Sequence, residues 1–220
     1  MLYHIHIDAE SIDDAFARYA SETLGFSAFR FEPNPPGIPK FAPRHAFTRK
    51  LNDTADFHDT FDRLAQYHAS ACAMRGYIEG EQVSYFKVDR SNACNAFDPE
   101  VPVPFKVSWR QLAPGTFRES ELHITVVQSG MDPRVRDKLL SMGFFLAVCK
   151  EHKRSTTDIY TVQGSQMQID LLRPLLIPFL EQLGGIQQVV LKEERIARWW
   201  TSSSDVTLPP VIDAIQTFTA

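Results

Sequence analysis

The sequence predicts an α+β fold in which one unit is used twice, and three observations predict it. Two histidine-bearing strand patterns open the halves, Leu2-Tyr3-His4-Ile5-His6-Ile7 and Glu121-Leu122-His123-Ile124-Thr125-Val126. Setting His4 on His123 brings Gly25-Phe26 to within one residue of Gly143-Phe144. After a gap, Ala46-Phe47-Thr48 falls on Ile159-Tyr160-Thr161, and Glu81 falls on Glu194. Self-similarity of this kind constrains the fold before any single element is assigned.

The first half reads in the order β-α-β-β-α-β. Met1 to Asp8 is a strand of mixed polarity. Ser11 is an N-cap residue, and Asp14 puts a carboxylate in the first helical turn, where the helix dipole favours it. Ile12, Ala15, Phe16, Tyr19 and Leu24 recur near helical spacing, and Gly25 takes the left-handed conformation that ends a helix. Phe29 and Phe31 alternate with polar residues, as in a strand. Pro33 to Pro43 contains five prolines and reads as an irregular loop. A lid, a dimer contact and a surface insertion are equally consistent with its sequence. His45 to Leu51 is a strand. Asp53 to Met74 reads as a helix striped by Phe57, Phe61 and Leu64 and stopped at Gly76. Tyr77 to Val88 is a strand with a bend expected at Gly80.

Arg90 to Phe117 matches neither half and reads as a connection, with a short strand at Phe105 to Trp109. The second half repeats the order. Glu119 to Val127 is a strand. Asp132-Pro133 caps and starts a helix that carries Val135, Leu139 and Met142 and ends at Gly143. Phe144 to Glu151 and Asp158 to Gln163 form a hairpin. Met167 to Leu183 is helical in pattern, with a kink or split expected at Pro174 and Pro178. Ile186 to Trp200 supplies the last strand, and a short helix is expected over Pro209 to Phe218.

A β-α-β-β-α-β unit is the ferredoxin-like arrangement, an antiparallel sheet with both helices on one face. The expected organisation is a first ferredoxin-like lobe at 1–89, a connecting segment at 90–117, a second lobe at 118–200 and a tail at 201–220. Each lobe leaves one sheet face bare, so two lobes can close a barrel or share a continuous sheet. In this layout the chain resembles the dimeric α/β-barrel superfamily. The repeat also predicts positive φ at both Gly25 and Gly143, with an alanine at either costing about 1 kcal/mol.

Composition narrows the function. The 220 residues carry a formal net charge of -4, with 44% hydrophobic and 23% charged residues. That balance is ordinary for a globular protein and lacks the basic footprint of a nucleic-acid binder. Cys72, Cys94 and Cys149 show no zinc spacing and read as reduced thiols of a cytoplasmic protein. No signal-peptide pattern and no membrane-spanning stretch is expected. Nucleophile-elbow, HExxH, Walker A and dinucleotide fingerprints do not occur.

The chemistry-bearing residues are the strand histidines. His4 and His6 share a strand face, and His123 and Thr125 hold the matching places in the other half. Imidazole suits transition metals, and Glu81 and Glu194 offer carboxylates beside the rings. A first-strand histidine paired with a last-strand glutamate in two repeats looks like the metal site of the vicinal oxygen chelate superfamily. That resemblance implies ligation by His4, Glu81, His123 and Glu194. The departure is that both halves here have a second helix where that superfamily has consecutive strands. His123-Ile124-Thr125-Val126 also resembles the motif of the 2H phosphoesterases, which implies histidines that hold and protonate phosphate oxygens. The first half has His6 where the hydroxyl belongs. The other possibility is that these are ordinary half-buried strand histidines.

The expected function is therefore a binding or interaction protein without a catalytic centre. A small acidic ligand or a partner protein is expected between the lobes, near His4, His6, His123, Thr125 and Arg195. The rival is an enzyme that uses the same histidines, with or without metal. No cofactor is specified by the sequence.

Overall fold

The computed structural model describes residues 2–9, 14–30, 45–67, 72–85, 104–110, 118–127, 133–150, 156–184, 188–201 and 211–217. The Pro33–Pro43 loop and the two expected caps Ser11 and Asp132 lie outside them. The fold is α+β, with one mixed ten-stranded sheet and four helices among the described residues. In chain order the elements are β1 (Tyr3–Ala9), α1 (Asp14–Arg18, running into a wider π-helical turn over Tyr19–Thr23), β2 (Ser27–Arg30), β3 (His45–Leu51), α2 (Thr54–Gln66) and β4 (Cys72–Tyr85). They continue with β5 (Phe105–Arg110), β6 (Ser120–Val127), α3 (Pro133–Ser141), β7 (Phe145–Lys150), β8 (Thr156–Gly164), α4 (Gln166–Gly184), β9 (Gln188–Thr201) and β10 (Val211–Thr217).

The strand order is β2-β3-β1-β4-β9-β6-β8-β10-β5, and β7 also pairs with β8. Both halves thus run from their last strand outward through their first and third to their second: β4-β1-β3-β2 on one side, β9-β6-β8-β7 on the other. The two last strands, β4 and β9, pair antiparallel and join the halves into one sheet. At the far ends β2 and β7 are not hydrogen-bonded to each other, yet they approach within 8 Å between Cα atoms. The sheet therefore curls most of the way round on itself.

Alternation along the strands decides what faces which way. Ile5, Ile7, Phe47 and Met74 pack with Phe16, Phe57, Phe61 and Leu64 of α1 and α2. Leu122, Ile124, Val126, Tyr160 and Val162 pack with Val135 and Leu139 of α3 and with Ile169, Leu172, Leu176 and Leu180 of α4. All four helices cover the same face of the sheet. The opposite face lines the inside of the curl, and it carries the residues at odd positions of β6 and even positions of β1. Asp53 caps α2 through bonds from the Ala55 and Asp56 amides, at 2.7 and 3.0 Å.

Four local expectations are corrected. The helix expected over Asp53 to Met74 ends at Gln66, and β4 already runs from Cys72, so Gly76 lies in a strand rather than stopping a helix. The apolar run Cys72, Ala73 and Met74 suits a strand paired with β1 as well as a helix, and periodicity does not separate the two. The helix α4 runs unbroken through Pro174 and Pro178. Both prolines are exposed, one turn apart, on the face away from the core, so the carbonyls they leave unbonded meet water. The helix expected near the C-terminus is β10, rich in β-branched Val211, Ile212, Ile215 and Thr217. It pairs with β5 and touches β8 at Val211–Gln163, so the connecting segment and the tail together extend the sheet.

Gly25 and Gly143 both have positive φ, +69° and +94°, as expected. Their surroundings differ. A Cβ at Gly25 meets nothing within 4 Å, whereas one at Gly143 falls 2.6 Å from the Val107 carbonyl oxygen of β5.

One buried phenol makes the fold sensitive to alkali. Tyr160 is buried with its hydroxyl 3.5 Å from Asp158 Oδ2. Burial first, then the Asp158 charge, pushes its pKa far above the ordinary 10.0. The folded chain holds this proton more tightly than the unfolded one. The contribution is therefore complete below the unfolded pKa of about 10 and is lost as pH rises above it. Tyr160→Phe is expected to shrink the loss of stability above about pH 10, read as urea midpoints across an alkaline series. An unchanged alkaline slope in the variant would count against it.

Candidate functional site

The joint between β4 and β9 sets three carboxylates in one row. Glu79 of β4 stands directly opposite Glu194 of β9, and Glu194 stands directly opposite Glu121 of β6. Cross-strand neighbours of like charge repel, so the row persists only because cations and hydrogen bonds surround it. All three side chains point to the inner face. Glu121 and Glu194 are nearly sealed from solvent, at 1% and 2% exposure.

Glu194 is the centre. His4 Nδ1 donates to its Oε1 at 3.1 Å, and His123 Nε2 donates to its Oε2 at 3.1 Å. The Lys192 ammonium lies against the same Oε1 as His4. One carboxylate thus ties a histidine of the first half to a histidine of the second. Each ring is completed by a threonine of the neighbouring strand: Thr48 Oγ1 bonds His4 Nε2, and Thr161 Oγ1 bonds His123 Nδ1 at 3.1 Å. Thr48 and Thr161 are the residues that the internal alignment places on one another.

The remaining carboxylates have their own holders. Glu121 Oε2 accepts from the Tyr77 hydroxyl at 2.7 Å and from Gln163 Nε2 at 2.8 Å, and Arg118 in turn donates to Gln163 Oε1 at 2.6 Å. Glu121 Oε1 lies 3.2 Å from His123 Nε2. Glu79 Oε1 has the Lys50 ammonium at 3.0 Å and the Lys192 ammonium at 3.5 Å. His6 stands beside His4, its ring edge-on at 5.9 Å, and bonds Asp8 through Nε2 at 2.7 Å.

These surroundings separate the titrations. Burial holds His4 below the ordinary histidine value, against the pull of Glu194, so the ring favours the neutral form and accepts a hydrogen bond from the Thr48 hydroxyl at Nε2. Burial also opposes charge on His123, but Glu121 and Glu194 outweigh it and hold the ring above the usual value. Burial works against the Glu194 charge as well, yet the hydrogen bonds from His123 and His4 hold its carboxyl well below the ordinary range.

The structure brings His4, His6, His123 and Glu194 together on one face. Thr125 lies two residues beyond His123 on the same face and is half-buried. Arg195 is exposed and, as the strand neighbour of Glu194, projects from the other face, away from the cluster. Glu81 lies in β4 where pairing with β9 shifts between Glu79 and Gln82, and its side chain is outside those described. Opposite Glu194 stands Glu79. His4, Glu79 and Glu194 each offer a ligand atom, all within 4.8 Å of one another.

Sequence reasoning missed Glu79, Glu121, Lys192, Tyr77, Thr48 and Thr161. The alternation rule alone places Glu121 on the face of His123 and Lys192 on the face of Glu194. Only the strand pairing shows that they meet. No helix among the described residues is long and apolar enough to cross a membrane. No protein family, curated protein or solved structure matches the chain.

Proposed function

We propose that the chain is a small-ligand-binding protein built from two ferredoxin-like repeats. The ligand is held on the inner face of the curled sheet, among His4, His6, His123 and Thr125. The observation that supports this best is the Glu194 carboxylate, which is shared by the first-strand histidines of both halves. The shared strand order of the halves supports the repeat. A buried row of like charges is costly to keep for stability alone, and such sites are where binding or chemistry is expected.

The test follows the imidazole ring signals by NMR in the full chain, with a library of small cations, anions and neutral polar compounds. A saturable shift of the His6 and His123 rings by one class of compound is the expected result. No response from any class would overturn the binding reading, and catalytic turnover abolished by His123→Ala would overturn a purely binding role. The second outcome would favour an enzyme of the vicinal-oxygen-chelate or 2H type.

A further inference from the structure

We infer that the inner face binds one divalent cation between His4, Glu79 and Glu194, in the place where the Lys192 ammonium now stands. This deepens the binding proposal and rests on it. Three donors of the right type already converge, one imidazole nitrogen and two carboxylate oxygens, within 4.8 Å of one another. Around a first-row cation with bonds of roughly 2.0–2.2 Å, donor atoms lie no more than about 4 Å apart. A contraction of about an ångström closes the set, within reach of glutamate side chains.

The charges support a cation rather than an acidic ligand. Glu79, Glu194 and Glu121 face one another in register across three strands. Glu79 Oε1 is buried and accepts no hydrogen bond of good geometry among the described residues, although two lysines lie near it. Lys192 Nζ touches both Glu194 Oε1 and Glu79 Oε1, so it bridges the two carboxylates that a metal would bridge. Its side chain is 20% exposed, and its four-carbon stem lets the ammonium swing out to water as the ion enters.

The neighbouring groups fit the role of supports. With His4 Nδ1 on the ion, its Nε2–H donates to Thr48 Oγ1 and keeps the ring oriented. His123 holds the other Glu194 oxygen, which makes that carboxylate a one-oxygen ligand. Tyr77 and Gln163 hold Glu121 behind it. One imidazole and two carboxylates suit Zn²⁺, Mn²⁺, Fe²⁺ or Co²⁺, and three protein ligands leave at least one position open to water or a small ligand.

The experiment uses the untagged full chain, stripped with a chelator. It is titrated with Zn²⁺ and Mn²⁺ by calorimetry and with Co²⁺ by visible absorption. One equivalent per chain is expected. Glu79→Gln should weaken binding by about 100-fold or more, since losing even a group that only supports a ligand costs up to about 100-fold. Lys192→Met should tighten it roughly tenfold by removing a competing charge. Circular dichroism melts show that each variant is folded. Absence of saturable binding in both the wild type and Lys192→Met overturns the site, as does binding that Glu79→Gln leaves unchanged. If the cation fails while organic compounds still move the His6 and His123 signals, the binding face stands without it. If neither acts, both proposals fall.

Discussion

Glu194→Ala is expected to cost about 3–5 kcal/mol of unfolding free energy, the range for removing one partner from a buried charged network. The deleted carboxylate is 2% exposed and serves His4, His123 and Lys192 at once. Without it, among the described residues, His4 Nδ1–H loses its acceptor on the inner face, and Lys192 keeps Glu79 alone as a carboxylate partner. His123 keeps Glu121 at 3.2 Å, so part of the second half's network survives. Glu194→Gln retains the size and one acceptor oxygen and should lose less than the alanine variant. In metal-free Glu194→Gln the His123 titration should move down, because one of the carboxylates that holds it up has lost its charge. Urea unfolding of both variants and NMR titration of the ring check this. A loss under about 1 kcal/mol for Glu194→Ala would mean the carboxylate is solvated rather than the hub of the network.

How far the sequence was legible follows from the range of the interactions involved. Strand alternation around His4 and His123, the Gly25 and Gly143 stops and the order of elements in each half are local signals, and the observed elements follow them. The α+β class, the element order and the placing of three histidines and Glu194 on one face came from these signals. Three failures were of another kind. The α4 prolines are tolerated because tertiary packing chose which helix face is buried, and Pro174 and Pro178 fall outside it. Strand β10 forms because β5 offers it an edge, a partner about a hundred residues earlier that no window around Val211 reveals. The substitution of Glu79 for Glu81 opposite Glu194 comes from the irregular pairing between Glu79 and Gln82. An extra residue at a bulge changes which side chains share a face, and an alignment that counts residues evenly from Ala46 to Glu81 misses it. Gly80 marked the place of the irregularity without giving its register.

Gly143→Ala is expected to cost roughly 2–4 kcal/mol, against about 1 kcal/mol for Gly25→Ala, although both glycines close a helix with positive φ. The backbone penalty is common to the two. At Gly25 the added methyl enters open space, so the left-handed conformation is the whole cost. At Gly143 the methyl falls 2.6 Å from the Val107 carbonyl oxygen and 3.1 Å from Trp109 Nε1. Neither neighbour yields easily. Val107 is held by its own amide bonding the Met142 carbonyl at 2.8 Å, and β5 is paired along its length with β10. Trp109 is packed edge-on against Phe145 at 4.5 Å. Relief therefore means pulling β5 away from the α3–β7 turn, which breaks the bond that docks the connecting segment onto the second half. Urea midpoints of the two alanine variants, with the slope of the transition checked for constancy, separate the terms. Equal losses at the two positions would show that β5 does not lie against Gly143 in solution. A larger loss at Gly143, together with faster amide exchange confined to β5 and β10, would show that it does.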